Sequence, residues 1–518
     1  MSAPPLSTLP SSSSNFSDVP TISPPQPFEI KFEQKELDQF HRKLDDARLP
    51  DGPLFPGANA DEYYSKAFPT LQLIKTAIEY WKKMDLRKFE AELNQYPHYI
   101  TSIDWCKQLH FLHQPSSRSN AIPLILCHGW PGSFLEFAHI LKPLAEPEDP
   151  NAQAFHVVIP SLPGFTFSSG PPIKNHEIAD ADGYCRLLDA LMRGLGYDRY
   201  AANGGDWGSI HARVLASRFA RADGSGCRAC HLNFLPVLPG GKIAGGFLML
   251  LPEWVSHKLA EYTMTADEQK SLRKALLYHN HFSTYYKMQR DRPTQIGFGM
   301  IDSPVAILGY LADFTKGLGI EVPGQHPQLS LYETDGSKGR HVTTNFMSKE
   351  LEGSHGPLNV DWFLQETFLY YITKSTATSF LPYAMNQPFL FYMLESTYTI
   401  RVPLGYSGFP NELIDLPLTW ARNAAKTNTS KGVTWYARSP TGGHLASTEK
   451  PHIFVEHLRT AFAPMGKYAP ATGSQAALNL FGAEGEEGKT FVKGSVWQSG
   501  GLWDDERAKD EKASSSKL

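Results

Sequence analysis

The fold is decided by the stretch Tyr200-Ala-Ala-Asn-Gly-Gly-Asp-Trp-Gly-Ser-Ile-His211. Small residues surround a single acidic residue, Asp206, and a segment with helical character follows it directly. The spacing Gly204-Gly-Asp-Trp-Gly208 predicts a sharp turn from a strand into a helix, with the central residue in a strained backbone conformation. Glycines suit such a turn because a Cβ there would collide with the neighbouring strand or helix. A Gly-Asp pair is also common in ordinary turns, so this stretch alone does not establish a nucleophile.

The composition is that of a globular protein and excludes several functional classes. The chain has 518 residues, of which 41% are hydrophobic and 20% charged, and its net charge of -4 indicates no nucleic-acid partner. The most apolar run, residues 243–255, contains a proline and is shorter than the roughly 20 residues that a membrane span needs. The N-terminus has no signal-peptide pattern. We therefore expect a cytoplasmic protein without a transmembrane span.

The cysteines indicate neither a disulfide framework nor a metal site. There are 5 of them, and they are scattered along the chain. Cys227 and Cys230 form a CxxC pair, but no second pair and no nearby pair of histidines completes a zinc site. We expect a loop or a strand edge at this pair, with no metal or redox function there.

Alternating strands and helices predict a mostly parallel sheet, which is typical of the α/β class. The pattern covers residues 119–235 and resumes over 396–465, and between them lies an aromatic-rich region, 236–395, that we predict to be an inserted helical lid. A polar, glycine-rich stretch at 316–345 predicts a longer loop within it. The strands are predicted at 122–127, 155–159, 200–203, 399–402 and 432–437, and the helices near 134, over 178–195, from about 417 and over 450–462.

The remaining regions flank this core. Residues 28–118 show a strand-like alternation at 28–32, helical periodicity near 37–44 and 71–81, and an edge-strand pattern at 107–113. Residues 1–27 and 466–518 have the composition of disordered tails. We therefore predict an ordered N-terminal segment before the core and a tail at each end of the chain.

The order of residues along the chain supports a catalytic role for Asp206. In the α/β-hydrolase fold a nucleophile, an acid and a histidine follow in this order, each after the end of a strand. His444 comes last, behind two glycines that permit a sharp turn. For the acid, the loop after the strand at 399–402 offers Glu412 and Asp415 and is favoured over the earlier Glu395. Spacing alone leaves both candidates in that loop open.

A second loop at a strand end is His128-Gly-Trp-Pro-Gly-Ser133. In this fold the equivalent loop supplies one backbone N–H of an oxyanion hole, and the residue after the nucleophile supplies the other. The predicted backbone donors are therefore Trp130 and Trp207. His128 is expected to be structural, and no Gly-x-Ser-x-Gly motif offers a rival serine nucleophile.

Together these motifs resemble those of the microsomal-type epoxide hydrolases, in a soluble, fungal-like form. The resemblance covers about residues 28–465. It implies an α/β-hydrolase fold with a mostly parallel central sheet, an inserted helical lid, and an N-terminal segment (28–118) that wraps the core and the lid. The matching motifs are His-Gly-Trp-Pro-Gly-Ser (128–133), Pro-Ser-Leu-Pro-Gly-Phe (160–165), Gly-Gly-Asp-Trp-Gly (204–208), Gly-Tyr-Ser-Gly-Phe-Pro-Asn-Glu (405–412) and Gly-Gly-His (442–444).

The resemblance also implies roles for individual residues. Asp206 would be the nucleophile, His444 the base and Glu412 its acid partner, because the family's acid ends the Phe-Pro-x-acid motif. Tyr285 and Tyr383 would be the two lid tyrosines that donate to the epoxide oxygen, and Tyr286 and Tyr371 are their close competitors. The substrate would be a small-molecule epoxide and the product a vicinal diol, with no cofactor. The oligomeric state stays open, with a homodimer among the alternatives.

Two alternatives and one departure accompany this interpretation. A haloalkane dehalogenase also uses an Asp nucleophile in this fold, and a non-catalytic binding protein could be built on the same scaffold. The turn at 102–106 lacks the glycine that the family usually has there.

Overall fold

The computed structural model describes residues 20–52, 71–171, 180–237, 248–318, 360–385, 398–410, 412–414, 416–422, 433–439 and 442–462. Its centre is a nine-stranded sheet whose strands lie in the order β1-β2-β3-β5-β4-β6-β7-β8-β9. The strands are β1 Gln26–Pro27, β2 His98–Ile103, β3 Cys106–Gln114, β4 Ile122–Cys127, β5 Phe155–Pro160, β6 Arg199–Gly204, β7 Gly226–Leu232, β8 Leu404–Gly408 and β9 Val433–Arg438.

The sheet is parallel from β5 to β9 and antiparallel at its other end. Strands β5, β4, β6, β7, β8 and β9 pair in parallel, whereas β1, β2 and β3 join through antiparallel pairs. Parallel strands covered on both faces read as continuous apolar runs, and every residue of β7 is buried. The predicted mostly parallel α/β sheet is confirmed.

Helices flank the sheet and fill the connections between its strands. The helix α7, which begins at Asp206, packs against β4, β6 and β7, and the last helix, α17, packs against β7 and β9. The helices are α1 Gln34–Asp45, α2 Leu71–Trp81, α3 Leu86–Leu93, α4 Leu135–Ala138, α5 Leu141–Ala145, α6 Ala181–Gly194, α7 Asp206–Arg218, α8 Glu253–Thr263, α9 Ala266–Leu277, α10 Thr284–Asp291, α11 Pro293–Asp302, α12 Pro304–Leu318, α13 Val360–Ile372, α14 Leu381–Met385, α15 Leu418–Ala421, α16 Ala446–Glu449 and α17 Pro451–Phe462.

The strand predicted at 28–32 is wrong, although the predicted alternation of burial is present. Ile30 and Phe32 are buried, but a helix provides their polar partners instead of a sheet. Asn94 accepts from the Ile30 N–H at 2.8 Å and donates back to the Ile30 carbonyl at 2.8 Å, and Glu90 accepts from the Phe32 N–H. The strand β1 lies just before this segment, so residues that we had placed in the disordered tail pair with the sheet.

Strand β3 confirms the strand pattern at 107–113 but not its edge position. It lies between β2 and β5, third from the end of the sheet. The turn from β2 to β3 contains Asp104 at φ 50°. Asp104 thus adopts the left-handed backbone, which aspartate tolerates better than most residues.

The Cys227/Cys230 pair lies in a central strand and not in a loop or at a strand edge. Both side chains are buried in β7, between β6 and β8. The run Gly226-Cys-Arg-Ala-Cys-His-Leu232 lacks strong β-formers at its centre, and burial by its neighbours overrides this weak local preference.

Strand β8 begins later than predicted. It spans Leu404–Gly408 and not 399–402, so the first four residues of the predicted loop 405–412 are in the strand. Its register is set by pairing with β7 on one side and with β9 on the other. Glu412 therefore follows the strand end closely.

Each described element between β7 and β8 is helical. We call residues 248–318 and 360–385 the helical insertion. Asp415 and Glu395, the glycine-rich stretch from 319 onward, and both predicted tails apart from residues 20–27 lie outside the described residues. Within the part of the chain that is described, no helix has the length and apolar character to cross a membrane.

Candidate active site

Asp206 lies at a strained turn between β6 and α7. Its φ of 47° falls in the left-handed region, which is costly for a residue with a side chain. The glycines around it are sterically required. A Cβ on Gly208 would lie 1.8 Å from the Cys127 carbonyl oxygen, and one on Gly204 would lie 2.1 Å from the Gly208 oxygen. The predicted strand-to-helix elbow is therefore present, and it exposes the carboxylate at the end of the central strands.

His444 and Glu412 converge on Asp206 from later parts of the chain. Nε2 of His444 lies 3.3 Å from Oδ2 of Asp206, and Nδ1–H of His444 donates to Oε1 of Glu412 at 2.5 Å. The same Glu412 oxygen accepts from the Leu413 N–H at 2.7 Å, which fixes the carboxylate. This contact holds the imidazole with Nε2 directed at Asp206, as an acid does in a hydrolase triad.

The loop at 128–133 meets the other oxygen of Asp206. The Trp130 N–H donates to Oδ1 of Asp206 at 2.7 Å. Gly129 allows this approach, because a Cβ there would lie only 2.2 Å from the same oxygen. His128 is buried, and its two hydrogen bonds are those of a neutral imidazole. Its Nε2 accepts from the Leu162 N–H at 3.0 Å, and its Nδ1–H donates to the Gly129 oxygen at 3.0 Å. This geometry agrees with a structural role for His128.

Trp207 is the second residue of α7, directly after Asp206. Its N–H belongs to the first turn of the helix, where backbone N–H groups have no acceptor within the helix. Its ring packs edge-on against Tyr383, with ring centroids 4.9 Å apart. Trp207 therefore has the position that the sequence predicts for a second backbone donor.

Tyr285 and Tyr383 come from two helices of the insertion and meet over Trp130. The Tyr285 ring stacks on Trp130 at 5.7 Å, and the Tyr383 ring packs edge-on against Trp130 at 5.8 Å. The two tyrosine rings are 6.0 Å apart, and both side chains are buried. Two phenols therefore lie together against the ring of Trp130, the residue whose backbone N–H donates to Asp206.

The two competing tyrosines have different surroundings. Tyr371 packs against Phe40 of the N-terminal helix α1, with ring centroids 5.5 Å apart, and is therefore turned toward that helix. Tyr286 lies beside the site, with its ring 5.3 Å from that of Tyr383. The Phe40 contact therefore separates Tyr371 from the pair, whereas Tyr286 lies next to it.

Comparison with known proteins places this site in a family. Residues 25–137 match a family model described as the epoxide hydrolase N terminus, and residues 122–303 match a model of the alpha/beta hydrolase fold. A putative epoxide hydrolase of Stigmatella aurantiaca is 30% identical over 440 residues, which cover 84% of this chain and 84% of that protein. The chain belongs to the epoxide hydrolase family.

Other members of the epoxide hydrolase family are similar over almost the same span. Epoxide hydrolase 1 of Sus scrofa is 27% identical and covers 84% of this chain and 87% of its own length. The solved structure of Aspergillus niger epoxide hydrolase is 27% identical, with a TM-score of 0.65 over 86% of this chain and 98% of that chain. The resemblance drawn from the motifs and the α/β-hydrolase fold are both confirmed.

The charges around His444 favour its protonated form in the resting epoxide hydrolase site. Burial by itself lowers the pKa of this imidazole, but the carboxylates of Glu412 and Asp206 outweigh it and raise the pKa well above its ordinary value. Because Asp206 contributes to this effect, any reaction that neutralises the Asp206 carboxylate lowers the pKa of His444.

The two phenols are held in their neutral form. Burial is the largest cause that raises the pKa of both Tyr285 and Tyr383 well above the usual value for tyrosine, and the charge of Asp206 adds to it. A neutral phenol is a hydrogen-bond donor, so both side chains are suited to meet an oxygen that becomes negative.

No pattern in the sequence points to the residues that hold the Trp130 loop. Tyr370 of α13 donates to the Gly132 oxygen at 2.8 Å, and the Ser133 hydroxyl donates to Glu366 of the same helix at 2.9 Å. The Trp130 indole N–H donates to the Ser379 hydroxyl at 3.1 Å. Each contact joins residues more than 230 positions apart, so no local pattern reveals them.

Two further groups near the site were also missed. Tyr278 lies 2.8 Å from Tyr285, hydroxyl to hydroxyl. Glu136 is buried, and burial is the main cause that raises the pKa of its carboxyl to about 8. Within the described ranges, no group of three or more His, Cys, Asp or Glu side chains is arranged to hold a metal ion.

The Gly129→Ala variant is expected to lower kcat by about 10²- to 10³-fold, the usual cost of losing one oxyanion-hole donor. The added methyl group would lie 2.2 Å from Oδ1 of Asp206 and must displace it from the Trp130 N–H. Steady-state kinetics on styrene oxide measure the loss. Gly299→Ala is the matched control, because its Cβ meets nothing within 4 Å. A Gly129→Ala variant with normal kcat would contradict this function of the loop.

The Glu412→Gln variant is expected to shift the titration of His444 to lower pH. The carboxylate of Glu412 is the largest contribution that raises this pKa, and an amide removes its charge. The imidazole is protonated below its pKa, so a lower pKa means that the neutral form appears at lower pH. NMR titration of the protein with isotope-labelled histidine measures the pH midpoint of His444. Glu36→Gln, which removes a partly buried acid paired with Lys374 on a different part of the molecule, should leave the midpoint unchanged.

Proposed function

We propose that this chain hydrolyses epoxides to vicinal diols through a covalent ester on Asp206. The observation that carries the proposal is the pairing of a carboxylate at the elbow with two buried phenols from the helical insertion. A carboxylate attacks carbon and forms an ester, and the phenols suit the oxygen that leaves. Serine in the same place would form an ether, which histidine and water could not cleave.

In the first step, the carboxylate of Asp206 attacks one carbon of the epoxide from the side opposite the ring oxygen. A C–O bond of the ring breaks as the ester bond forms. The ring oxygen takes a proton from Tyr285 or Tyr383, because an unprotonated alkoxide is a poor leaving group in a water-excluding pocket. The raised pKa of both phenols keeps them protonated until the bond breaks.

In the second step, the base acts on water. The ester carries no charge, so the pKa of His444 falls. Its proton passes to the phenoxide that ring opening leaves, which restores the phenol, and the neutral His444 is a base. It takes a proton from water, and the hydroxide attacks the ester carbonyl carbon. The Trp130 N–H donates to Oδ1 of Asp206. Together with the Trp207 N–H it would stabilise the oxyanion by about 3 kcal/mol per donor.

The step ends when the bond between the carbonyl carbon and the diol oxygen breaks. One oxygen of the diol then comes from Asp206 and one oxygen of water stays in the carboxylate. The leaving oxygen takes the proton that the attacking hydroxide carried, and His444 keeps the proton that it took from water, as in the resting site. The sum is epoxide plus water giving diol. The five side chains of the proposed site are supplied by one chain, so the site needs no partner subunit. They are Asp206, His444, Glu412, Tyr285 and Tyr383. A homodimer stays an open alternative.

A single turnover in heavy-oxygen water tests the proposal. Enzyme in excess over styrene oxide is expected to give diol without solvent label, while the label appears in Asp206 in the peptide 200–211. Mass spectrometry of both products makes the measurement. Styrene oxide incubated without protein is the control, since its diol takes oxygen from the solvent. Labelled diol in the first enzymatic turnover would exclude the ester.

A further inference from the structure

We propose that Tyr278 is a positioning residue for the epoxide-opening step: its hydroxyl donates a hydrogen bond to Tyr285 while Tyr285 donates its own proton to the epoxide oxygen. This role rests on the proposed function, and it adds a third phenol to the two that the sequence indicates. None of the sequence motifs contains Tyr278.

The contact between the two phenols is close and partly buried. Their hydroxyl oxygens are 2.8 Å apart, a normal distance for an O–H···O hydrogen bond. Tyr285 is only 9% exposed, so water has little access to replace this partner. Tyr278 begins a wide helical turn, Tyr278–Phe282, that separates α9 from α10, where Tyr285 lies. Such π-type turns are rare in proteins, and many of those that occur lie at functional sites.

The number of protons on the two hydroxyls dictates their roles. Each phenol has one proton to donate and can also accept. When Tyr285 turns its proton toward the epoxide oxygen, the Tyr278 contact persists only if Tyr278 is the donor. As the ring opens, negative charge grows on the Tyr285 oxygen, and a hydrogen bond to a charged acceptor is stronger than one between neutral groups. Tyr278 thereby makes Tyr285 a better acid in the transition state.

The surroundings of Tyr278 keep it protonated for this task. Burial is the largest cause that raises the pKa of its hydroxyl, the hydrogen bond to Tyr285 lowers it in part, and the carboxylates of Asp206 and Glu412 raise it further. A neutral Tyr278 can therefore donate while Tyr285 passes its proton to the epoxide oxygen. The same carboxylate charges show that Tyr278 belongs to the electrostatic environment of the active site.

The first experiment is a double-mutant cycle on the rate of ester formation. Quenched single turnovers with styrene oxide, followed by mass analysis of the Asp206 peptide, give the rate in the wild type, Tyr278→Phe, Tyr285→Phe and the double variant. Loss of a hydrogen bond to a group that acquires charge predicts a fall of about 10- to 100-fold for Tyr278→Phe. In the Tyr285→Phe background, removing the Tyr278 hydroxyl should change nothing further. Hydrolysis of the preformed ester should keep its wild-type rate in Tyr278→Phe.

A second readout depends on the basicity of the oxygen that leaves. Methyl oxirane opens to a more basic alkoxide than trifluoromethyl oxirane, and so needs a stronger acid. The Tyr278→Phe defect should therefore be larger for methyl oxirane, whereas a loosened pocket would lower both rates alike. Tyr371→Phe is the control, because this phenol packs against Phe40 and lies apart from the Trp130 contacts.

The outcomes separate this role from the proposed function. Equal rates in the wild type and Tyr278→Phe would overturn the role of Tyr278 and leave the ester mechanism standing. Equal defects in both backgrounds of the cycle would also overturn it, because Tyr278 would then act without Tyr285. A wild-type chain that forms no ester would overturn the proposed function and this role with it.

Discussion

The His444→Asn variant is expected to form the Asp206 ester and to stop there. Ring opening needs the carboxylate and the phenols, which the substitution leaves in place. Hydrolysis needs a base, and Nε2 of His444 is the ring nitrogen that lies 3.3 Å from Asp206. Loss of a general base costs about 10²- to 10⁴-fold in rate. Turnover should therefore fall by this factor, while intact-mass spectrometry shows one substrate adduct per chain.

The adduct must depend on Asp206 to support this mechanism. In the double variant Asp206→Asn/His444→Asn we expect no adduct, because an amide is not a comparable nucleophile. His452→Asn, at an exposed position on α17, should keep normal turnover and accumulate nothing. An adduct in the double variant, or normal turnover in His444→Asn, would show that another group attacks the epoxide or activates water.

The site combines two parts of the molecule with separate tasks. The sheet supplies Asp206, His444 and Glu412 from the ends of its parallel strands, where loops from distant parts of the chain meet. The helical insertion supplies Tyr285 and Tyr383, and its helix α13 also holds the loop that contacts Asp206. In the proposed mechanism the sheet provides the nucleophile, and the insertion determines which leaving group it serves.

Features with a local cause were predictable from the sequence. The elbow at Asp206 depends on glycines. A Cβ at these positions would collide with backbone atoms a few residues away or in the adjoining strand. The strand at 122–127 and the helices near 37–44 and 71–81 follow from runs and periodicities that are complete within each segment. His444 was predictable because chain order and two preceding glycines mark it.

Features with a distant cause were not predictable. The segment 28–32 reads as a strand, and only the side chains of Glu90 and Asn94 show that a helix takes its backbone groups. The start of β8 depends on its register with β7 and β9. Tyr278 and Glu366 form their hydrogen bonds with partners in other elements, and no periodicity encodes such pairs.

Replacing both Tyr285 and Tyr383, the two phenols of the helical insertion beside Trp130, is expected to abolish epoxide opening. In the double variant Tyr285→Phe/Tyr383→Phe the rings that pack on Trp130 remain, but no proton donor is left at that pair. Each general acid contributes about 10²- to 10⁴-fold, so the double variant should lose at least about 10⁴-fold in the rate of ester formation. Single turnovers with styrene oxide, read by mass analysis of the Asp206 peptide, measure this loss.

The same variant decides between the two chemistries that an aspartate at this elbow allows. A halide leaves without a proton, so the double variant should still be alkylated on Asp206 by an alkyl bromide such as phenacyl bromide. That reaction also shows that the fold and the carboxylate are intact. Tyr371→Phe should behave as the wild type with both reagents, since its ring lies against Phe40. If the double variant opened styrene oxide at nearly the wild-type rate, the phenols would have no acid role, and the arrangement would fit a haloalkane dehalogenase better than an epoxide hydrolase.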